Sequence, residues 1–168
     1  MKKQPIDNIT WIPIEELHTN DYNPNHVFKQ ELQLIHTSIT RNGWLQPIII
    51  NHDKTIIDGY HRVTLLKQDP ELYQQTQGKV PCITLNLTKP QRILLTIRIN
   101  RAKGTHTAYK MHQAITTLHH EYGLNKETIA HEIGATTEEI TLLLTENIFT
   151  QKHYNETTKY NQAWTPQK

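Results

Sequence analysis

The chain has 168 residues, of which 36% are hydrophobic and 20% are charged, and its formal net charge is +2. These values are typical of a globular protein, and so small a net charge does not by itself indicate a nucleic-acid binder. The one cysteine, Cys82, excludes an intrachain disulfide. No apolar run approaches the roughly 20 residues of a membrane helix and no signal peptide follows Met1, so we expect a cytoplasmic protein without a membrane partner.

A first strand and a first helix are predicted near the N-terminus. Residues 9–14 are rich in β-branched and aromatic side chains and include Pro13, which favours a strand at a sheet edge. Apolar residues then recur at spacings of four and three, at Phe28, Leu32, Ile35 and Ile39. This period predicts an amphipathic helix, and Gly43 follows where a helix C-terminus favours glycine.

Three further strands and two helices are predicted in the middle of the chain. The strand patterns cover residues 47–50, 55–57 and 80–85. A tight turn at residues 51–54 joins the first two of these strands. Helical patterns begin at Val63 and at Pro90, whose fixed φ suits the first turn of a helix.

The last third of the chain has the pattern of a helix-turn-helix. Apolar pairs precede and follow Gly134, which lies at the turn, and Thr136 with Glu139 has the spacing of a capping box. After residue 147 the chain is polar. The predicted segments are a first domain at 1–106, a helical helix-turn-helix-like domain at 107–147 and a polar tail at 148–168.

The distribution of charge along the chain predicts a bound polyanion. Residues 72–120 contain no Asp or Glu. The same stretch holds seven cations, Lys79, Lys89, Arg92, Arg98, Arg101, Lys103 and Lys110. Its densest part is residues 98–106, where Gly104 allows close backbone approach and Thr105 can cap a helix whose N-terminus favours phosphate. The alternative is a solvated basic face near a helix end.

The second helix of the helix-turn-helix carries negative charge, opposite to that of the acid-free stretch. Residues 137–144 contain none of the Arg, Lys, Asn and Gln side chains that read base edges, and phosphates repel Glu138 and Glu139. DNA is therefore a disfavoured partner. We expect this module to have a structural role or to contact protein, with a homodimer or a protein partner held through the helical tail.

Four segments, in order, resemble the ParB/sulfiredoxin superfamily over residues 9–110. They are Ile12-Pro13-Ile14 with Asn20-Asp21-Tyr22-Asn23-Pro24, then Gly43-Trp44-Leu45-Gln46-Pro47-Ile48, Asp58-Gly59-Tyr60-His61-Arg62 and Asn100-Arg101-Ala102-Lys103-Gly104-Thr105-His106. The ending Asn161-Gln162-Ala163-Trp164 resembles that of phage and plasmid ParB-like proteins. The resemblance implies an α+β fold, a small mixed sheet with helices around a nucleotide pocket, followed by the all-α helix-turn-helix-like segment.

The resemblance also implies nucleotide chemistry. Partitioning ParB proteins bind and hydrolyse CTP in this pocket, sulfiredoxins use ATP, and SerK-type free serine kinases phosphorylate serine there. Sulfiredoxin chemistry is excluded because Tyr60 stands where the reactive cysteine is needed, while Cys82 lies in an apolar strand pattern typical of a buried structural cysteine. The aspartate and histidine of residues 58–62 resemble the kinase form more than the partitioning form.

The third segment supplies the candidate catalytic residues. Arg62 can hold phosphate oxygens, His61 can donate to phosphate and stabilise developing charge, and Asp58 can orient His61, hold Mg²⁺ or position a nucleophile. The alternative for Asp58 is a turn residue that caps the following helix. SerK-type kinases have a glutamate base in the first loop, where Asp21 is the one acid here, and Asp21 can equally form an Asx turn.

The resemblance places a larger set of residues at the nucleotide and its phosphates. They are Gln46, Pro47, Gly59, Arg62, Arg98, Asn100, Arg101, Lys103, Gly104, Thr105 and His106. The ligands implied are Mg²⁺ and a nucleoside di- or triphosphate, either ATP/ADP or CTP.

Three functions remain open at this point. The first is Mg²⁺-dependent phosphoryl transfer or nucleotide hydrolysis by a kinase or NTPase. The second is a ParB-like DNA-binding regulator, a partition-type clamp that uses nucleotide as a switch. The third is a phage or plasmid interaction adaptor with a degenerate pocket.

Overall fold

The computed structural model describes residues 3–20, 22, 29–103 and 108–145. The chain divides into two compact units. Unit 1 comprises Met1–Asp21 and Val27–Thr88, and unit 2 comprises Tyr22–His26 and Lys89–Lys168. The division at residues 88 and 89 lies earlier than the boundary that the sequence predicts at residue 106, and the three functional segments stay a prediction.

Unit 1 is built on a four-stranded mixed sheet with the strand order β1-β4-β2-β3. The strands are β1 Ile9–Pro13, β2 Ile48–Asn51, β3 Ile56–Asp58 and β4 Lys79–Leu85. β1 is antiparallel to β4, β4 is parallel to β2, and β2 is antiparallel to β3. All four predicted strands form, because β-branched side chains fit the pleated, half-buried surface of a sheet. The predicted α+β class with a small mixed sheet is confirmed.

Three helices pack on one face of this sheet. They are α1 Lys29–Asn42, α2 Tyr60–Gln68 and α3 Pro70–Thr76. Gly43, with φ +75°, ends α1 as predicted, and its amide donates to Ile39 O at 2.8 Å. The core under these helices consists of twelve buried side chains, Ile12, Ile14, Leu17, Ile39, Ile48, Ile50, Ile56, Val63, Leu66, Leu72, Val80 and Cys82. Helix α3 is absent from the prediction.

Unit 2 is helical in its described part. It contains α4 Lys89–Lys103, α5 Ala108–Thr116, a π-helical turn at Thr117–Glu121, α6 Lys126–Ile133 and α7 Thr137–Leu144. The helix-turn-helix prediction is confirmed, because Gly134, with φ +66°, ends α6, and Thr136 Oγ1 accepts from Glu139 N at 3.1 Å at the start of α7. None of the helices within the described residues has the length and apolar character needed to cross a membrane.

Candidate functional site

The connection between β3 and α2 turns sharply at a glycine. Asp58 is the last residue of β3, Gly59 is the N-cap with φ +101°, and α2 begins at Tyr60. A Cβ built on Gly59 would lie 2.6 Å from Ile48 Cδ1 and 3.1 Å from Arg62 Nη2. Both the left-handed backbone and the close approach require glycine at this position.

The guanidinium of Arg62 ties this connection to the loop that precedes β2. Nη1 donates to Gln46 O at 2.5 Å and to Pro47 O at 3.1 Å, and Nη2 donates to Asp58 Oδ2 at 3.2 Å. The Arg62 and Asp58 side chains are both mostly buried. Burial lowers the pKa of Arg62 and the adjacent Asp58 carboxylate opposes that change, so the guanidinium stays charged. Arg62 therefore fixes the loop at Gln46 and Pro47 relative to the start of α2.

The N-cap residue of α2 is Gly59, which has no side chain with which to cap the helix. By contrast Asp69 caps α3, Asn125 caps α6 and Thr136 caps α7, each by accepting a backbone N–H. The first turn of α2 also contains no acidic residue. Gly59, and not Asp58, is the N-cap residue of α2, and the Asp58 carboxylate binds Arg62. A capping role for Asp58 stays a prediction. A helix N-terminus with no acid in its first turn favours an anion.

The basic end of α4 contacts the helix-turn-helix within unit 2. Arg101 Nη1 lies 2.6 Å from Glu139 Oε1, and its Nη2 donates to Glu139 Oε2 at 3.5 Å and to Gly134 O at 3.2 Å. Arg98 Nη1 lies 3.7 Å from Glu132 Oε2. Two cations of the acid-free stretch thus pair with acids of the helix-turn-helix, where the sequence predicted phosphate as their partner.

Comparison with known proteins establishes the family. Residues 1–99 match the family model of the ParB N-terminal domain. This chain belongs to the ParB N-terminal domain family. It is 34% identical over 168 residues to the uncharacterized protein YbdM of Escherichia coli strain K12, covering 98% of this chain and 79% of YbdM.

Two solved structures of ParB from Caulobacter crescentus were compared with this family member. The C-terminally truncated protein complexed to the centromeric parS site has a TM-score of 0.54 at 18% identity, over 89% of this chain and 78% of that one. The same truncated protein complexed with CTP-γ-S has a TM-score of 0.45 at 20% identity, over 90% and 87%. The first likeness confirms the ParB-type fold, and the second is too distant to add to it.

The structure brings together one group of the residues predicted for the ParB-type pocket. Asp58, Gly59, Arg62, Gln46 and Pro47 all meet at the start of α2 in unit 1. His61 lies in the first turn of α2 and makes an edge contact with Tyr60, with ring centroids 5.6 Å apart.

The remaining predicted residues lie elsewhere in the chain. Arg98, Asn100, Arg101 and Lys103 lie on α4 in unit 2, where Asn100 is buried. Four predicted residues fall outside the described residues, namely Asp21, Gly104, Thr105 and His106. In the part of the chain that the structure describes, no three His, Cys, Asp or Glu side chains are grouped to hold a metal, so the Mg²⁺ role of Asp58 stays a prediction.

Asn20 is a candidate that sequence reasoning treated only as a turn residue. Its Nδ2 donates to Ile56 O at 2.5 Å, which fixes the first loop beside β3, two residues before Asp58. Its Oδ1 is buried and has no hydrogen-bond partner among the described residues. A buried acceptor without a donor is costly, so a donor group of a ligand or a water would stabilise it.

Cys82 has the structural role predicted for it. The side chain is buried in the unit 1 core, with Sγ 3.6 Å from Val80 O. Burial raises the pKa of the thiol to about 11, so the reactive thiolate is scarce near neutral pH.

Proposed function

We propose that this ParB-family chain binds a nucleoside di- or triphosphate at the start of α2 and carries out Mg²⁺-dependent phosphoryl transfer or hydrolysis on it. The observation that carries the proposal is the N-terminus of α2, with glycine at its N-cap, beside the braced guanidinium of Arg62. An anion placed there meets a helix N-terminus and a cation together. The family resemblance supplies the nucleotide class, ATP/ADP or CTP.

Arg62 retains hydrogen-bonding capacity for a phosphate. A guanidinium has five N–H donors, and three of them are used by Gln46 O, Pro47 O and Asp58 Oδ2. Among the described residues, the Nε proton and the second Nη2 proton have no acceptor, and they can donate to a pair of phosphate oxygens. Arg62 would thus hold the ligand and the loop at once, which fixes the ligand against the backbone around Gln46.

His61 and Asp58 are the proposed catalytic pair. His61 lies in the first turn of α2, where a donor can stabilise charge that develops on a transferring phosphoryl group. Asp58 is held by Arg62 and presents the carboxylate that would position a nucleophile or a metal-bound ligand. Mg²⁺, when bound, would neutralise phosphate charge.

Calorimetric titration with ATP, ADP, CTP and GTP, each with Mg²⁺, tests the proposal. His61→Ala should weaken binding of the preferred nucleotide about tenfold, the effect of one charge-assisted hydrogen bond. Asp58→Asn should abolish turnover with binding largely kept. The matched control is Lys54→Ala, which removes only a surface ion pair with Glu16.

Two results would contradict this function. Binding by none of the four nucleotides would remove nucleotide chemistry and leave the adaptor function. Full turnover in Asp58→Asn would leave Asp58 as a brace for Arg62 alone. Arg62→Ala removes the hydrogen bonds to Gln46, Pro47 and Asp58 as well as the donors for phosphate. Nucleotide binding by this variant is therefore interpreted only together with its unfolding curve.

A DNA-binding regulator switched by nucleotide is the second candidate. The observation that favours it is the pairing of Glu139 with Arg101, which neutralises an acid in the first turn of α7 that would otherwise repel DNA phosphate. A DNA mobility-shift assay at low and moderate salt tests it, because affinity for DNA falls steeply with salt. Absence of a shift at low salt would exclude this role.

A further inference from the structure

The outer edge of β1 is unpaired among the described residues, where β1 is the terminal strand of the sheet. Ile14 N donates to Gly78 O at 2.9 Å, in line with the β1–β4 register. Hydrogen-bonded pairs alternate along antiparallel strands, so Ile12 also turns its backbone groups toward β4. Ile9 and Trp11 therefore direct their N–H and C=O groups outward, away from the sheet.

Within the part of the chain that the structure describes, this edge lacks most of the features that protect edge strands. Charged side chains, bulges and covering segments usually block such edges, and β1 contains only Pro13 as a blocking residue. Trp11 is 50% exposed, and Ile6 and Ile9 are exposed to a similar degree. Together they form an apolar border along the open backbone.

A groove of about 540 Å³ adjoins this edge through Trp11. Its lining also includes Trp44, Leu72 of α3 and Lys79 of β4. Lys79 is the one charged residue of this lining. Trp44 Nε1 is buried and has no hydrogen-bond partner within the described residues. The residues that line the groove thus include two tryptophans, one of them with an unsatisfied indole N–H, and one cation.

We propose that the β1 edge and this groove are a docking surface for an extended segment of a partner protein. The segment adds to the sheet as a strand beside β1, packs a large apolar side chain against Trp11 and Trp44, and places an acidic side chain at Lys79. Backbone bonds at Ile9 and Trp11 supply affinity of low sequence specificity, while the groove and Lys79 select the side chains. A carbonyl or carboxylate of the segment accepts from Trp44 Nε1.

A second copy of the chain fits this edge less well. Two-fold antiparallel pairing centred on Trp11 sets Pro13 of each copy opposite Ile9 of the other. Pro13 has no N–H, so the Ile9 carbonyls lose their donor. The docking surface lies at the β1 end of the sheet, and the proposed nucleotide site follows β3 at the other end. Failure of one proposal therefore does not contradict the other.

Selection of a phage-displayed library of random heptapeptides on the full chain provides the probe. We expect enriched sequences that alternate apolar residues and carry an acid. Amide hydrogen exchange followed by NMR then examines the synthetic form of the best peptide. The Ile9 and Trp11 amides should slow at least tenfold on binding, while the Ile12 amide, already bonded to β4, should not change.

Substitutions identify the side chains involved. Trp11→Ala and Lys79→Glu should each weaken the peptide at least tenfold, and Trp44→Phe should weaken it several-fold. Leu34→Ala, at an exposed leucine outside this surface, should leave affinity unchanged. Thermal unfolding establishes whether each variant folds. If Trp11→Ala does not fold, Lys79→Glu, at an exposed position, tests the proposal instead.

Three outcomes would overturn the proposal. The first is the absence of any peptide that prefers the unmodified chain over Lys79→Glu. The second is a concentration-dependent dimer in analytical ultracentrifugation that Trp11→Ala dissociates, which would assign the edge to a second copy. The third is peptide binding that leaves the exchange of the Ile9 and Trp11 amides unchanged, which would exclude strand addition.

Discussion

Arg101 and Glu139 form an ion pair whose contribution to stability can be measured against a weaker pair on the same helix. The two side chains are only 12% and 11% exposed, and two nitrogens of Arg101 face two oxygens of Glu139. Arg98 and Glu132 are 3.7 Å apart and 48% and 38% exposed. The two pairs join the same helix, α4, to the helix-turn-helix, so the comparison sets a buried pair with two contacts against an exposed pair with one.

Burial sets the expected magnitudes. Removal of one partner of a buried pair costs about 3–5 kcal/mol, because it leaves an uncompensated charge. Since Glu139 retains some contact with water, we expect Arg101→Ala to lower the free energy of unfolding by about 2–3 kcal/mol, with a coupling energy near 2 kcal/mol. An exposed pair contributes about 0–1 kcal/mol, so the Arg98–Glu132 coupling should stay below about 0.5 kcal/mol.

Two double-mutant cycles measured by urea denaturation provide the assay. The first combines Arg101→Ala with Glu139→Gln, and the second combines Arg98→Ala with Glu132→Gln. Far-UV circular dichroism follows the loss of helix, which makes up the described part of unit 2. Repetition at high salt should reduce the coupling of the exposed pair much more than that of the buried pair.

Equal coupling energies in the two cycles, or a coupling near zero for Arg101 and Glu139, would refute this account of α4. The same Glu139→Gln variant also tests the predicted phosphate role of Arg101. If Arg101 binds phosphate, loss of the competing carboxylate should strengthen nucleotide binding in calorimetry. Unchanged affinity would remove Arg101 from the nucleotide site.

Three further predictions concern unit 1. Gly59→Ala should lower the free energy of unfolding by about 2 kcal/mol or more in urea denaturation, because of the positive φ and the 2.6 Å approach to Ile48, and an unchanged midpoint would contradict this. The Leu72 amide, then His36, lowers the pKa of Asp69, so its stabilising effect is present above its unfolded pKa of about 3.9 and is lost as pH falls through the folded pKa. The stability difference between the native chain and Asp69→Asn should therefore shrink below about pH 4, and a difference that is constant with pH would refute the linkage. Cys82 should resist a thiol reagent at pH 8 until the chain unfolds, and rapid labelling of the folded chain would contradict its burial and raised pKa.

Most of the fold follows from local pattern. The strands and the longer helices carry apolar residues at periods of two or of three and four, and Gly43 and Gly134 lie at helix ends as predicted. Helix α3 lacks such a period, because Leu72 is its one fully buried side chain among seven residues. The sequence signal for α3 lies at its start instead, where Asp69 caps the helix and Pro70 occupies the first turn.

The site was predictable in part. The spacing of Asp58 and Arg62 is that of an i, i+4 ion pair on a helix, although the pair spans the strand end and the helix start. The acceptors at Gln46 and Pro47 could not be found, because every residue has a backbone carbonyl and these lie 16 and 15 residues away. The buried Oδ1 of Asn20 depends on packing that no local pattern records.

The separation of charge along the sequence has a cause inside unit 2. A run of cations without acids shows that the complementary charge lies elsewhere, but not whether it belongs to a ligand or to a later helix of the same chain. For Arg98 and Arg101 the complementary charges lie on the later helices, at Glu132 and Glu139. A phosphate at Arg101 would have to displace a carboxylate that already fits its guanidinium. Such competition is reciprocal. The free energy by which the Arg101–Glu139 ion pair weakens binding of a ligand at Arg101 equals the free energy by which that ligand weakens the attachment of α7 to α4.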